Sequence, residues 1–358
     1  MNQNPYNNQF NNYYPQQHGV YYQPQLTPAQ IQQQQRQAQM IHEHQSKEKK
    51  QILTAGFALG ITLIVNLMVQ VIGVSLIQSM GKYDLFQNSF IYQHSINILL
   101  VDVCSLVVPF LVLSLMFRSR FKTPVVPCEK IGFIKCASWV FVGLAVCLGA
   151  NILTNGVIEI FKQFGYELTK TEALKPNSPV ECILLIFSTA VAPAICEEFS
   201  MRCVSLGLLR KHGKAFAVVA VSIVFGLLHG NVIQFVFAFT IGLILGYVTI
   251  VTDSVVPAMF IHGFNNGLSV MQDIFKYATD EKTANIATGV CTIGILLFGV
   301  LGLVYLIVKK QLVPKKEPEL AEPYRVNFFV RLALLAPGLF VPFLILIYLT
   351  SKTIVPIS

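Results

Sequence analysis

The sequence predicts an all-α membrane protein, a polytopic transmembrane helical bundle of about nine spans (eight is the alternative count) with a disordered N-terminal tail. Hydrophobic residues make up 54% of the 358 residues, charged residues only 12%, and the mean hydropathy is +0.58. A soluble globular domain carries about 25% charged residues. The composition therefore excludes an ordinary soluble enzyme. It also excludes a nucleic-acid-coating protein, despite the net charge of +8.

The N-terminal region differs sharply in composition from the rest of the chain. Residues 1–46 contain 14 Gln and 6 Asn, with Tyr and Pro interspersed. Such a segment buries too little apolar surface to offset the entropy lost on ordering. We therefore expect a disordered cytosolic tail over residues 1–50 and a transmembrane helical domain over residues 51–350.

Long apolar stretches follow the tail, each close to the roughly 20 residues that a helix needs to cross a bilayer. The predicted spans are 52–79, 95–117, 133–160, 181–210, 214–230, 231–251, 254–272, 285–308 and 328–350.

The charges of the connecting loops predict the orientation of these spans. Four segments are basic: 47–50, 118–122, 210–214 and 309–316. The long loops between them are neutral or acidic, and the two kinds alternate along a chain of nine spans. Because Lys and Arg are enriched in cytosolic loops, this pattern predicts a multi-pass protein of the cell membrane with a cytosolic N-terminus and an external C-terminus.

Ionisable residues inside the predicted spans carry the functional signal, because a charge at the bilayer centre costs about 2.5–3.5 kcal/mol on insertion scales. Asp102 is expected to make a structural hydrogen bond. Glu159 and Arg331 lie near span ends and are expected to reach the interface. The other ionisable residues inside the spans lie between positions 197 and 262: Glu197, Glu198, Arg202, His229 and His262. Asn266 follows closely.

Helix geometry predicts that these residues meet. Glu197 lies 13 residues from Arg210, which is roughly 20 Å along a helix, and His229 lies at a similar depth from Lys214. Residues four apart share a helix face, which pairs Glu198 with Arg202 and His262 with Asn266. Three helices are therefore expected to bring polar groups to one site.

Two chemistries fit such a site. A carboxylate beside a His, away from bulk water, acts as a general base on a trapped water, while a His and an Asn amide donate to the developing oxyanion. Alternatively, Glu197, His229 and His262 with one open position describe a catalytic Zn²⁺ site. The residues alone leave both alternatives open, and a cofactor is not assigned.

Three ordered motifs carry a resemblance to a known family. They are Glu197-Glu198-x-x-x-Arg202, Phe225-x-x-x-His229 and His262-x-x-x-Asn266. In this order on separate membrane helices they resemble the CAAX protease and bacteriocin-processing family, also called Abi, in its bacterial branch. The resemblance covers about residues 180–272, which would form the catalytic core.

The resemblance implies an intramembrane endopeptidase that cuts a peptide or a membrane-associated protein in the lipid bilayer. Glu197 and His229 would activate water. His262 and Asn266 would stabilise the oxyanion or help to hold a metal, and Glu198 with Arg202 would support the site. Members are described as metalloproteases and as metal-independent glutamate proteases, and bacterial members are linked to peptide processing and bacteriocin self-immunity. The alternative is a non-catalytic membrane protein, either an immunity or scaffold protein or a small-solute transporter.

Overall fold

The fold is helical along nearly all of the chain that the computed structural model describes, which is residues 26–121, 125–168, 174–314 and 326–356. The helices in these ranges are α1 Pro28–Ser79, α2 Tyr83–Asn88, α3 Phe90–Met116, α4 Phe133–Gln163, α5 Pro179–His212, α6 Lys214–Leu228, α7 Val232–Thr252, α8 Val256–Ala278, α9 Glu281–Val308 and α10 Phe328–Ser351. Short 3₁₀ turns occupy Arg118–Arg120 and Arg210–His212, the second at the end of α5.

Helix α1 begins earlier than the composition predicts. Residues 28–50, expected to be disordered, are helical, whereas residues 1–25 lie outside the described part of the chain. Thr27 caps this helix: its hydroxyl accepts from the Gln30 N–H at 3.3 Å, and the Gln30 side chain accepts from the Thr27 N–H at 2.8 Å. This reciprocal capping box, followed by a run rich in the good helix formers Gln, Ala, Met, Glu and Lys, favours the helix.

Seven described helices are long and apolar enough to cross a membrane: α1, α3, α4, α5, α7, α9 and α10. The fold is therefore the predicted multi-pass helical membrane protein. The predicted spans at 214–230 and 254–272 are α6 and α8, which differ from the others. The 15 residues of α6 extend only about 22 Å, and α8 carries polar side chains along one face.

Helix α1 crosses helix α10 at a contact between glycines. A Cβ at Gly60 would overlap the carbonyl oxygen of Gly338, and a Cβ at Gly56 would meet the backbone of Leu335. Small residues four apart let two helix backbones approach closely, which is how membrane helices gain packing energy. The first and last described spans are therefore packed backbone to backbone.

This crossing predicts the effect of a single methyl group. Gly60→Ala is expected to lower the free energy of unfolding by about 1–3 kcal/mol, because the added carbon has no space beside Gly338. Gly149→Ala on α4 is the matched control. No heavy atom lies within 4 Å of its added Cβ, so it is expected to be neutral or mildly stabilising. Thermal unfolding in detergent measures both, and equal effects would contradict the packing argument.

A buried ion cluster joins α1 to α10 and to the end of α5. Glu48 on α1 contacts Arg331 Nε at 3.1 Å and His212 Nδ1 at 3.6 Å, and it accepts the Val326 N–H at 3.0 Å. Arg331 is thus buried against protein, and the cluster members Glu48 and His212 belong to the basic segments 47–50 and 210–214 that flank the predicted spans. The ion pair with Glu48, which is far away in sequence, offsets the cost of removing the Arg331 charge from water. Glu159, by contrast, is exposed and paired with Lys162.

The centre of the bundle is α7, which packs against α4, α6 and α8. Its Gly242 lies against Ser222 and its Gly246 against Val218, so this pair of glycines is the seam with α6. At the periphery, β1 Tyr166–Leu168 pairs antiparallel with β2 Ile354–Pro356 and ties the C-terminal segment to the end of α4.

Candidate active site

Helix α5 presents the first motif at a place where its helical winding changes. The segment Ala192–Glu198 is α-helical, whereas Phe187–Val191 before it and Phe199–Ser205 after it are π-helical. Such wide turns within α-helices occur frequently at functional sites. Glu197 and Glu198 therefore end a short regular segment that is bounded on both sides by irregular winding.

Glu198 holds two partners from opposite directions. Its Oε1 accepts from His262 Nδ1 at 2.8 Å, and its Oε2 lies 3.0 Å from Arg202 Nε. The Arg202 contact is an ion pair without good hydrogen-bond alignment. Both side chains of this pair are fully buried, and the guanidinium stacks on the Phe225 ring at 4.7 Å. Glu198 therefore links α5 to α8, and its partner Arg202 connects the pair to α6.

Glu197 has the opposite character. Its side chain is 20% exposed, and its Oε2 atom is buried without a hydrogen-bond partner in the described chain. That oxygen lies 3.7 Å from His262 Nε2, which is beyond hydrogen-bond distance. Glu197 thus has a carboxylate oxygen that lies beside an imidazole and makes no described hydrogen bond to the protein.

The proton positions on His262 follow from its partner. A carboxylate only accepts, so the Nδ1 that meets Glu198 at 2.8 Å carries a hydrogen. The Nε2 atom then faces Glu197. Glu198 fixes the ring orientation of His262 in the way that a third group orients a catalytic base.

Helix α8 is held against α5 at both ends of the site. Gly263 and Gly267 approach Ala194 and Ala190 of α5, so the backbones lie close together. In the turn between α7 and α8, Asp253 pairs with Arg210 of α5 at 3.0 Å. These contacts set the distance between Glu197 and His262.

Asn266 is anchored to α5. Its Nδ2 donates to the Thr189 carbonyl at 3.1 Å. Pro193, four residues further along α5, has no N–H to offer to that carbonyl, so the Asn266 amide takes the place of the missing donor. One N–H of Asn266 remains for other use. The neighbouring Asn265 is buried and donates to Asn266 Oδ1 at 3.4 Å.

His229 lies at the end of α6 and is joined to the site through Phe225. The Phe225 ring makes edge contacts with both imidazoles, at centroid distances of 5.1 Å to His229 and 5.9 Å to His262. His229 Nδ1 bonds to the Phe225 carbonyl at 2.9 Å. Because a carbonyl only accepts, Nδ1 carries the hydrogen, and the neutral ring keeps a basic Nε2. Gly230, with φ of 68°, turns the chain directly after it.

The arrangement of the three residues expected to hold a metal does not form a metal site. Within the described ranges, no group of three or more His, Cys, Asp or Glu side chains is placed to hold a metal ion. Glu197 and His262 lie close together, whereas no described hydrogen bond or ion pair joins His229 to either of them; the Phe225 ring contacts both imidazoles. Glu197, His229 and His262 therefore do not fit the zinc alternative in this arrangement.

Asp102 lies beside the site, although the sequence assigns it only a structural hydrogen bond. It is buried on the π-helical segment Ile98–Val107 of α3, which packs against Ala192–Glu198, and it interacts electrostatically with Glu197. No described hydrogen bond involves its carboxylate. The depth of Asp102 in an apolar span indicated that it has a role. Its large sequence separation from Glu197 gave no indication that the two residues interact.

The fold and the site define a class: a multi-pass helical membrane protein that gathers Glu, His and Asn side chains from separate helices. Residues 179–268 match the family model described as type II CAAX prenyl endopeptidase Rce1-like. The match confirms the resemblance to the CAAX protease family predicted from the three motifs, all of which lie within it. That family is a protease family, which supports an endopeptidase. Comparisons with curated proteins and with solved structures found no match.

Proposed function

We propose that this protein is an intramembrane endopeptidase that hydrolyses a peptide bond in a membrane-associated peptide or protein, with Glu197 and His229 activating water. The observation that carries the proposal is the buried Glu197 Oε2, which has no described hydrogen bond and lies 3.7 Å from His262 Nε2. The match of residues 179–268 to a CAAX endopeptidase family supports the reaction class.

The proposed reaction begins with a water molecule between the catalytic base and the substrate. The Glu197 carboxylate removes a proton from this water, and the hydroxide attacks the carbonyl carbon of the scissile peptide. His229 assists through its basic Nε2 atom. When the tetrahedral intermediate collapses, the proton held by Glu197 passes to the leaving amine, and the C–N bond breaks.

The negative charge on the carbonyl oxygen needs donors. A protonated His262 donates from Nε2 while its Nδ1 remains bonded to Glu198, and the remaining N–H of Asn266 is a second donor on the same helix. Donors fixed before the reaction stabilise such a charge most strongly in a site that excludes water. In this proposal Glu198 and Arg202 keep His262 in position.

The location of the reaction follows the charge pattern of the loops. The proposal places the protein in the cell membrane with its N-terminus in the cytosol and its C-terminus outside, because the basic loops lie on one side of the predicted spans.

The proposal is tested by comparing membranes that contain the wild-type protein with membranes that contain Glu197→Ala or His229→Ala at equal abundance. Enrichment of new protein N-termini, followed by mass spectrometry, should find peptides produced only by the wild-type protein. If the cellular phenotype survives both substitutions and no new terminus appears, a non-catalytic role replaces the protease. Solute flux in proteoliposomes without a peptide product would identify a transporter.

The metal alternative has its own test. We expect cleavage by the purified protein to be unchanged, within twofold, after a chelator titration, because no group of three His, Cys, Asp or Glu side chains in the described ranges is placed to hold a metal ion. A known zinc-dependent protease in the same detergent serves as the control for chelation. Loss of cleavage that is restored by Zn²⁺ would contradict this prediction.

A further inference from the structure

A chamber with several polar lining residues opens at His229, between the matched region and two helices outside it, α1 and α10. It has a volume of about 440 Å³ and lies between α1, the turn from α6 to α7, and α10. Its polar lining residues are Asn66, Gln70, His229, Asn231, Lys352 and Thr353. His229 is the proposed partner of Glu197 in activating water. The chamber is therefore the space next to the proposed chemistry in which substrate chain has room to lie.

Ser105 on α3 fixes the first amide of the chamber wall. Asn66 Nδ2 donates to both the carbonyl and the hydroxyl of Ser105, each at 3.0 Å. A carbonyl only accepts, so the atom of Asn66 that faces it must be the nitrogen. Asn66 Oδ1 then points to Gln70. Asn66 is buried, and both ends of its amide are occupied by the protein.

Gln70 is oriented by the same network. Its Nε2 donates to Asn66 Oδ1 at 3.1 Å and to Ser105 Oγ at 3.3 Å, which uses both of its N–H groups. Ser105 Oγ donates to the Val101 carbonyl and is thereby saturated. The Gln70 Oε1 atom has no hydrogen bond in the described part of the chain. The network thus presents one fixed acceptor on the wall of the chamber.

We propose that Gln70 binds the substrate polypeptide by accepting a backbone N–H through Oε1 in the chamber that it shares with His229. The inference rests on the proposed protease function. A peptide that enters a membrane protein loses the water that satisfied its backbone N–H groups, and each unsatisfied group is costly. An acceptor held in place by two donated hydrogen bonds compensates for that loss at little entropic cost.

The alternative is that the network only packs α1 against α3. The two Asn66 bonds to Ser105 already perform that task, and Gln70 adds an outward acceptor that packing does not need. A packing role predicts changes in stability alone. A substrate-binding role predicts a change in KM.

The first test replaces the Gln70 amide by an apolar chain of similar length. With a quenched fluorescent peptide built on the cleavage site found in membranes, Gln70→Met is expected to raise KM roughly three- to tenfold, the range of one neutral hydrogen bond, with kcat within twofold. Gln78→Met is the matched control. Gln78 is exposed on the same helix and does not line the chamber. An unchanged KM in a folded Gln70→Met protein would overturn the proposal.

The second test changes the substrate and compares the wild-type protein with Gln70→Met. Peptides in which single amide N–H groups are replaced by ester oxygens should include one with a raised KM for the wild-type protein. For Gln70→Met that same ester should cost nothing further, because its partner is already gone. An ester penalty that persists in Gln70→Met, or no penalty at any position, would overturn the proposal. Failure of the protease function differs from both, since no Glu197-dependent product would exist.

Discussion

Replacing Glu197 by Gln should reduce peptide cleavage by a factor of about 10²–10⁴, the usual contribution of a general base. The amide has nearly the shape of the carboxylate but does not take a proton from water. Glu197 Oε2 is buried and makes no described hydrogen bond, so the fold loses little when it is replaced. Initial rates with the quenched peptide measure the effect, and KM is expected to change little, because the lost interaction belongs to the transition state.

Glu159→Gln is the matched control for this experiment. Glu159 is an exposed carboxylate on α4, paired with Lys162 at 2.8 Å, and the substitution is expected to leave the rate unchanged. Equal unfolding temperatures for Glu197→Gln and the wild-type protein would show that the loss is chemical. Full cleavage by a folded Glu197→Gln protein would remove Glu197 from the mechanism and favour His229 or another base.

The sequence predicted the part of the site that follows from local helix geometry. The four-residue spacing placed Glu198 with Arg202, and the estimated depth placed α5 opposite α8, where Glu198 and Glu197 meet His262. These relations depend only on helical rise and periodicity, which apolar spans obey closely. The apolar spans were also predictable, because basic segments mark several of the loops that connect them.

Contacts between elements distant in sequence could not be predicted. Asn66 and Ser105 are 39 residues apart, and nothing in either segment indicates their register. The π-helical winding of Ile98–Val107, which carries Ser105 and Asp102, also has no signature in the sequence. The chamber beside His229 therefore could not be predicted from the sequence, although its polar residues Asn66, Gln70, His229 and Asn231 lie in predicted spans.

Competing local and global signals explain the remaining differences. The Gln-rich start of α1 has a polar composition typical of disorder, yet its residues favour helix and the Thr27 capping box begins one. Arg331 lies near a span end, and the sequence did not indicate that its side chain is buried. Burial became favourable only through Glu48, which is far away in sequence.

The second large effect is expected at the buried ion pair behind the site. Arg202→Met should lower the free energy of unfolding by about 3–5 kcal/mol, because it leaves the Glu198 charge without its arginine partner. It also removes the guanidinium stacked on Phe225, a ring that contacts both His229 and His262. Unfolding in detergent measures the stability. Arg118→Met, at an exposed arginine, is the control and should change it by less than about 0.5 kcal/mol.

The double variant Glu198→Gln with Arg202→Met separates a charge effect from a shape effect. With both charges gone, no unpaired ion stays buried, so the stability loss should be smaller than for Arg202→Met alone. Cleavage should nevertheless stay low, because an amide holds the His262 ring without the charge that stabilises its protonated form. If the double variant is the least stable of the set, the pair contributes through packing, and Glu198 acts on catalysis only through the position of His262.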